Sequence, residues 1–380
     1  MAKTRSIFEE VATPGRAAPV AGGIDRGRGG GRGAIRIWLM VLFALVVLMI
    51  AVGGLTRLTG SGLSITEWRP VTGAIPPLSE ARWQEEFELY RQIPQYELLN
   101  YGMSLEEFKF IYWWEWGHRQ LGRVMGLIWG VGFVFFWATG RIPTGWTRRL
   151  LLIGALGGLQ GAIGWWMVAS GLSGDMTRVA SYRLATHLGL AFVILGFIAW
   201  YVFLLGRSET QLLQARRARE GRLFSLGTGL MHFAFLQILL GALVAGIDAG
   251  RSYTDWPLMH GVFFPPESFD LRPLWSNFFE NPALVQFMHR MAGYLLFAFG
   301  IVAFLRGRRS AHGETRAAFT LMLAVMVLQV VLGILTVMAG APWQLAILHQ
   351  FTAVLLWVMI LRVRFLAQYP IVTSIRGAKA

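Results

Sequence analysis

The 380-residue chain contains no cysteine. That excludes a disulfide framework, thiolate chemistry, a Cys-ligated metal and an iron–sulfur cluster, and it leaves seven histidines as the main candidate ligands. Charge is scarce as well. Asp, Glu, Lys and Arg fill 15% of positions against 55% hydrophobic residues, a composition unlike that of an ordinary soluble domain. Acidic residues are fewer than basic ones, 21 against 35, for a net charge of +14. The surplus is not a nucleic-acid footprint, because the basic residues sit in short segments between apolar runs rather than on a polar face or in an RNA-binding motif.

Apolar runs of about 20 residues, the length that crosses a bilayer, are abundant. They place helices near 36–54, 111–138, 149–170, 182–205, 223–247, 282–305, 316–339 and 343–366, which makes an all-α polytopic membrane protein of eight transmembrane helices. Lys and Arg collect before the first span, around Arg148 and Arg149, from Arg216 to Arg222, from Arg306 to Arg309 and after the last span, whereas the alternate loops carry a relative excess of acid. By the positive-inside rule both termini are cytoplasmic, and the long loops 55–110 and 248–281 face outward. Residues 1–35, rich in Gly and Arg, lack the apolar core of a secretory signal. They read as a disordered cytoplasmic tail, with 206–222 a cytoplasmic linker and 367–380 a second tail.

The chain repeats itself. GGLTRLTGSGLSITEW (53–68) matches GALVAGIDAGRSYTDW (241–256) at Gly53/Gly241, Gly62/Gly250, Ser64/Ser252, Thr66/Thr254 and Trp68/Trp256, and Pro-Pro follows both. HRQLGR at His118 matches HRMAGY at His289, LQGAIG at Gln160 matches LQVVLG at Gln329, and THLGLAF at His187 aligns with LHQFTAV at His349. Two four-helix halves follow, 36–205 and 223–366. Each has an even number of spans, so both insert the same way, as parallel pseudo-symmetric bundles.

Four of the seven histidines fall on this repeat. His118 and His289 lie about seven residues into their helices, and His187 and His349 five or six, so each imidazole is roughly 10 Å below the outer surface. Packing alone gives no reason to keep four intramembrane histidines level. Two facing imidazoles per half suit the axial positions of a flat macrocycle held in a bundle, giving one haem-sized site per half. His232 and His260 align with Ala44 and Thr72, and His312 sits in a cytoplasmic loop, so none of these three joins the pattern. Arg119 and Arg290 follow the first histidine of each pair, where a guanidinium suits a haem propionate or snorkels to headgroups. Gly122 and Gly293 remove bulk from the histidine face, for a ring or for helix packing. The Q-x-x-x-G pattern at Gln160, Gln237 and Gln329 reads as packing and repeat ancestry.

The halves differ at Glu115, three residues before His118 on the same helical face, whose repeat mate is Gln286. A carboxyl group beside a macrocycle in a low-dielectric pocket is suited to proton exchange near neutrality; a structural hydrogen bond is the alternative. The first half also has the longer outward loop, with Arg57 where the second has Ala245. These differences put a reactive site in the first half and a redox or structural haem in the second.

The loop motif GGLTRLTGSGLSITEWRPVTGAIPP, EWGHRQLGR in the second span and the histidines of the fourth, sixth and eighth spans resemble the heme A synthase family, in its alphaproteobacterial and mitochondrial form, over about residues 36–366. The resemblance implies oxidation of a ring methyl of heme O to a formyl group through a hydroxymethyl intermediate. It implies substrate heme O near His118 and His187, with Glu115 matching the family's required glutamate, and a haem b ligated by His289 and His349. It also implies a bacterial cytoplasmic (inner) membrane location, heme O synthase and cytochrome oxidase assembly factors as partners, and an electron donor that the sequence does not identify. One departure is clear. Many bacterial relatives carry a cysteine pair in an outward loop, so any thiol-dependent step assigned to them cannot operate here. A diheme b-type electron-transfer cytochrome explains the four histidines without Glu115; a transporter of parallel repeats explains the architecture but not the level histidines.

Overall fold

The structure, a computed structural model, describes residues 29–371 apart from 173 and 175. Residues 1–28 of the expected N-terminal tail and 372–380 of the C-terminal one lie outside the described residues. Among the described residues, eight helices are long and apolar enough to cross a membrane. They are α1 (Gly29–Leu58), α2 (Leu105–Ala138), α3 (Thr147–Ala169), α4 (Ser181–Leu205), α5 (Gly221–Gly246), α6 (Pro282–Gly307), α7 (Gly313–Met338) and α8 (Trp343–Gln368). The protein is a multi-pass, all-α membrane protein; among the described residues the only β pairing is an isolated bridge between Met259 and Val262.

Two helices begin earlier than their apolar runs. Residues 29–35, expected in the tail, form the first turns of α1. Arg32 holds them there, donating to the carbonyls of Leu204 (3.1 Å) and Arg207 (2.7 Å) and pairing with Glu209. The helix α2 starts at Leu105 rather than near 111, because Ser104 and Glu107 form a reciprocal capping box that satisfies end N–H groups. Its charged first turn hides it from hydropathy. His118 is therefore thirteen residues past the start of α2, whereas His289, His187 and His349 are seven, six and six past the starts of α6, α4 and α8. For His118, the count from the helix start no longer measures depth.

The extra turns of α2 carry part of the long loop between the first two spans. Phe108, Ile111 and Tyr112 are buried with Leu63, Ile65, Trp83, Phe87, Tyr90 and Tyr96, an aromatic cluster that seats the loop helices Glu80–Tyr90 and Pro94–Leu99 on the spans. In the first half α1 packs on α2 and α4, and α3 packs on α4 and, less extensively, α2. In the second half α5 packs on α6 and α8, and α7 on α8 and α6. The histidine-bearing helices α2 and α4 are thus separated by α1 and α3, and α6 and α8 by α5 and α7. Contacts of α4 with α5 and of α1 with α8 join the two sets.

Charged residues brace this joint. Arg57 donates to the carbonyl of Ala245, its own repeat mate, and pairs with Asp248 at 2.8 Å, which also takes Arg178. The Arg57/Ala245 difference therefore serves the joint between the halves rather than the reactive site. Gln350, next to His349, donates to the carbonyl of Ile50 in α1 at 2.6 Å.

Candidate functional site

Each repeat histidine leans on a glycine of a neighbouring span. A Cβ on Gly53 of α1 would come 3.0 Å from His118 Nε2, and one on Gly164 of α3 would come 2.9 Å from His187 Cε1. In the second half a Cβ on Gly241 of α5 would lie 3.1 Å from His289 Cε1, and one on Gly333 of α7 would lie 3.0 Å from His349 Cε1. These distances are below ordinary carbon contact. Only a glycine lets the imidazole rest against helix backbone, so the four glycines are the floor of the site.

Across each set the imidazoles form pairs. His118 is within electrostatic range of His187, and His289 of His349. All four rings are half-buried. Among the described residues no three His, Asp or Glu side chains converge into a cage that holds a metal by itself. Two imidazoles approaching from helices on opposite sides are instead the donor set for the axial positions of a macrocycle-bound iron. The glycine floors and paired rings fit such a group.

The glutamines that the sequence assigned to packing touch the same rings. Gln160 Nε2 lies 3.3 Å from both ring nitrogens of His187 and donates to that residue's carbonyl at 3.0 Å. Gln237 Nε2 lies 3.0 Å from His289 Nδ1 and donates to the His289 carbonyl at 2.9 Å, and Gln329 Nε2 is 3.2 Å from His349 Nε2. The pattern was visible in the chain. Its reading as packing overlooked that Gln and Gly four residues apart share one helical face, so the side chain beside each glycine floor also meets the ring.

Glu115 is 2% exposed, and both its oxygens are occupied. Oε1 accepts from Arg119 Nη2 (2.6 Å) and Nε (3.0 Å), and Oε2 accepts from the Ser64 hydroxyl (2.8 Å) and the Ile65 backbone N–H (2.8 Å). The first-loop motif is thereby clamped to α2. Arg119 adds bonds to the carbonyls of Ile65 and Glu67. In the second half Arg290 donates to the carbonyls of Tyr253 and Asp255, the repeat mates of those residues, and Gln286 also donates to Tyr253. Both arginines thus hold loop backbone. Beside Arg119 a cleft of about 510 Å³ is lined by Arg69, Arg82 and Arg123 together with Glu67, Glu86 and Tyr112.

The remaining residues take structural places. Gly122 faces the Met49 methyl and Gly293 the Gln237 amide, so both admit a neighbouring helix. His232 Nδ1 is 2.9 Å from the Thr228 carbonyl one turn back in α5. His260 is exposed, with a left-handed backbone (φ 51°), and its ring lies on Tyr253. Its N–H and that of Gly261 bond the Asp255 carboxylate and hold that carboxyl below its usual range.

The family model described as cytochrome oxidase assembly protein, COX15-CtaA, matches residues 36–361. The chain is 70% identical to the heme A synthase of Ruegeria sp. (strain TM1040) over 377 residues, covering 98% of this chain and 99% of that one. It is 67% identical to the heme A synthase of Ruegeria pomeroyi over 380 residues, covering 99% and 100%. With the heme A synthase of Paracoccus denitrificans the identity is 65% over 375 residues, 98% of each chain.

Proposed function

Because this chain belongs to the COX15-CtaA family of cytochrome oxidase assembly proteins, we infer that it is a heme A synthase, a membrane oxidoreductase that acts on heme O and so contributes to oxidase assembly. The observation that carries the assignment of its sites is the recurrence of one unit four times: an imidazole resting on a glycine of the next span. Two such units per half support parallel, pseudo-symmetric four-helix halves. Substrate heme O sits between His118 and His187, and a resident haem b between His289 and His349.

Bound haem b supplies one-electron chemistry to the second half. The protein's own part is orientation and proton handling. The glycine floors fix how far each imidazole reaches into its bundle. Glu115, held by Arg119, Ser64 and Ile65, couples the outward loop to the helix turn that precedes His118, and three residues before that histidine it is the carboxylate that would pass protons during oxidation of the ring methyl. Arg119 and Arg290, which hold loop backbone one residue past the first histidine of each pair, are the guanidinium groups that would pair with haem propionates. Heme O synthase and oxidase assembly factors are the expected partners, together with membrane lipid and a separate electron donor. The location is a bacterial cytoplasmic (inner) membrane with both termini inside.

Two experiments test this arrangement. Gly164→Ala and Gly333→Ala push a methyl into His187 and His349 and are each expected to lower haem retained per chain several-fold in their own half. Gly161→Ala, where a Cβ meets nothing within 4 Å, should retain full haem. Equal retention in all three variants contradicts the glycine-floor sites. For topology, a cysteine at Ser79, the exposed cap of the Glu80–Tyr90 helix, is expected to react with an impermeant maleimide only from the outside. This chain has no other cysteine to compete, and labelling from the cytoplasmic side overturns the orientation.

A further inference from the structure

Arg183 lies four residues before His187 in α4, one helical turn toward the start of the helix and on the same face. Both side chains reach α3. His187 rests on Gly164, and Arg183 Nη1 donates to the carbonyl of Trp166 at 2.7 Å, with the guanidinium carbon 4.6 Å from the centre of the Trp166 ring. The arginine therefore stands one turn from the imidazole in the groove between α3 and α4, at the edge of the first-half site.

Donor use separates it from Arg119. A guanidinium carries five N–H groups. Arg119 commits Nε, Nη1 and Nη2 to Glu115 and to the carbonyls of Ile65 and Glu67. Among the described residues Arg183 makes one such bond, and its Nε is buried without a partner. A buried donor left unpaired is costly unless an acceptor arrives to meet it. The second half has nothing equivalent: the repeat sets Leu345 against Arg183, Ile334 against Trp165 and Leu335 against Trp166. In the first half these two adjacent tryptophans bring both guanidinium groups to one stretch of α3, with Arg119 5.8 Å from the Trp165 ring and Arg183 4.6 Å from the Trp166 ring.

Arg119 and Arg290 are common to the halves and suit a need that both share, whereas Arg183 suits a need of the first half alone. A haem carries two propionates on one edge. One guanidinium holds that edge; a second, from another helix, also stops the ring from rotating in its own plane. Only the half that oxidises one particular ring methyl requires that rotation fixed. We propose that Arg183 is a substrate-binding residue that takes one propionate of heme O from α4 while Arg119 stands on α2, so that the pair sets which ring methyl is presented for oxidation. A carboxylate meeting the free donors of Arg183 forms a charge-assisted, fork-shaped contact. The inference rests on the reading that heme O sits between His118 and His187.

Heme O and its dimethyl ester, in which both propionates are blocked, provide the test. Each is titrated into the full chain produced without heme O, and binding is read from the absorption of the added haem, independent of turnover. Arg183→Leu is expected to weaken heme O binding roughly tenfold to a hundredfold, the worth of a hydrogen bond to a charged group, and to leave the diester unchanged. Arg183→Lys keeps the charge but not the fork, so its affinity for heme O should fall between the two. The low-spin haem b of the second half reports folding, and if Arg183→Leu does not accumulate, Arg183→Lys decides alone. The hyperfine-shifted ring-methyl resonances of ferric heme O should form one set in the wild-type protein and more than one in Arg183→Leu. Equal losses for heme O and the diester, or no loss for either, overturn the proposal and leave Arg183 an anchor on Trp166. His118→Ala separates the two levels. If it changes the spectrum of added heme O while Arg183→Leu shows no difference between acid and ester, the site stands and the propionate contact fails; if it changes nothing, the first-half site itself fails first.

Discussion

Glu115→Gln is expected to lower conversion of heme O on the order of a hundredfold, the low end of what a positioned acid–base group supplies, while the low-spin haem b of the second half is retained. The substitution keeps shape and an acceptor oxygen but removes the charge that faces Arg119. Stripping one partner from a buried pair commonly costs about 3–5 kcal/mol. Here the cost should be smaller, because Arg119 keeps its bonds to the Ile65 and Glu67 carbonyls. The second half shows the outcome directly: Gln286 and Arg290 coexist there, with the guanidinium bonded to backbone carbonyls. Extracted pigments should shift to heme O or to its hydroxymethyl derivative. Arg119→Met separates charge from clamping. If Glu115 only anchors the loop, Arg119→Met and Glu115→Gln should loosen residues 61–68 to protease alike and lose activity in proportion. If it handles protons, Glu115→Gln loses far more activity than its loosening explains. Normal heme A yield from Glu115→Gln would leave the carboxylate a structural clamp.

Replacing His289 or His349 by alanine should abolish the low-spin haem b absorption outright. In the proposed ligation each ring is half of a two-ligand set, and the glycine floor beneath it, Gly241 or Gly333, offers no side chain to take over. The first half should keep its haem affinity in both variants, since His118 and His187 stand on other helices. Survival of the low-spin signal in both single variants would remove haem b from the second half.

Much of this architecture was legible in the chain. Each of the eight apolar runs forms a spanning helix among the described residues, because burial in lipid leaves a backbone few alternatives to a helix. The helix ends were less legible where charge did the work. Arg32 extends α1 into a Gly-rich stretch through bonds to Leu204 and Arg207, and the Ser104–Glu107 box starts α2 among acidic residues. Neither is apolar, so hydropathy passes over both. The histidines were legible through the repeat, but the surroundings of Glu115 were not. Hydropathy presents it as a carboxyl in an apolar helix, and the fold supplies Ser64 and Ile65 from a loop some fifty residues away together with Arg119. Arg57 shows the same limit: a difference between repeats can mark chemistry or a joint, and only its contact with Asp248 distinguishes them.

The most direct test is pigment extraction after the chain is produced in cells that supply heme O and in cells that do not. The account expects heme A only where heme O is supplied, with haem b recovered from the protein in both. Two b-type haems and no heme A in either culture would make it a diheme electron-transfer cytochrome, and a colourless protein would contradict both sites.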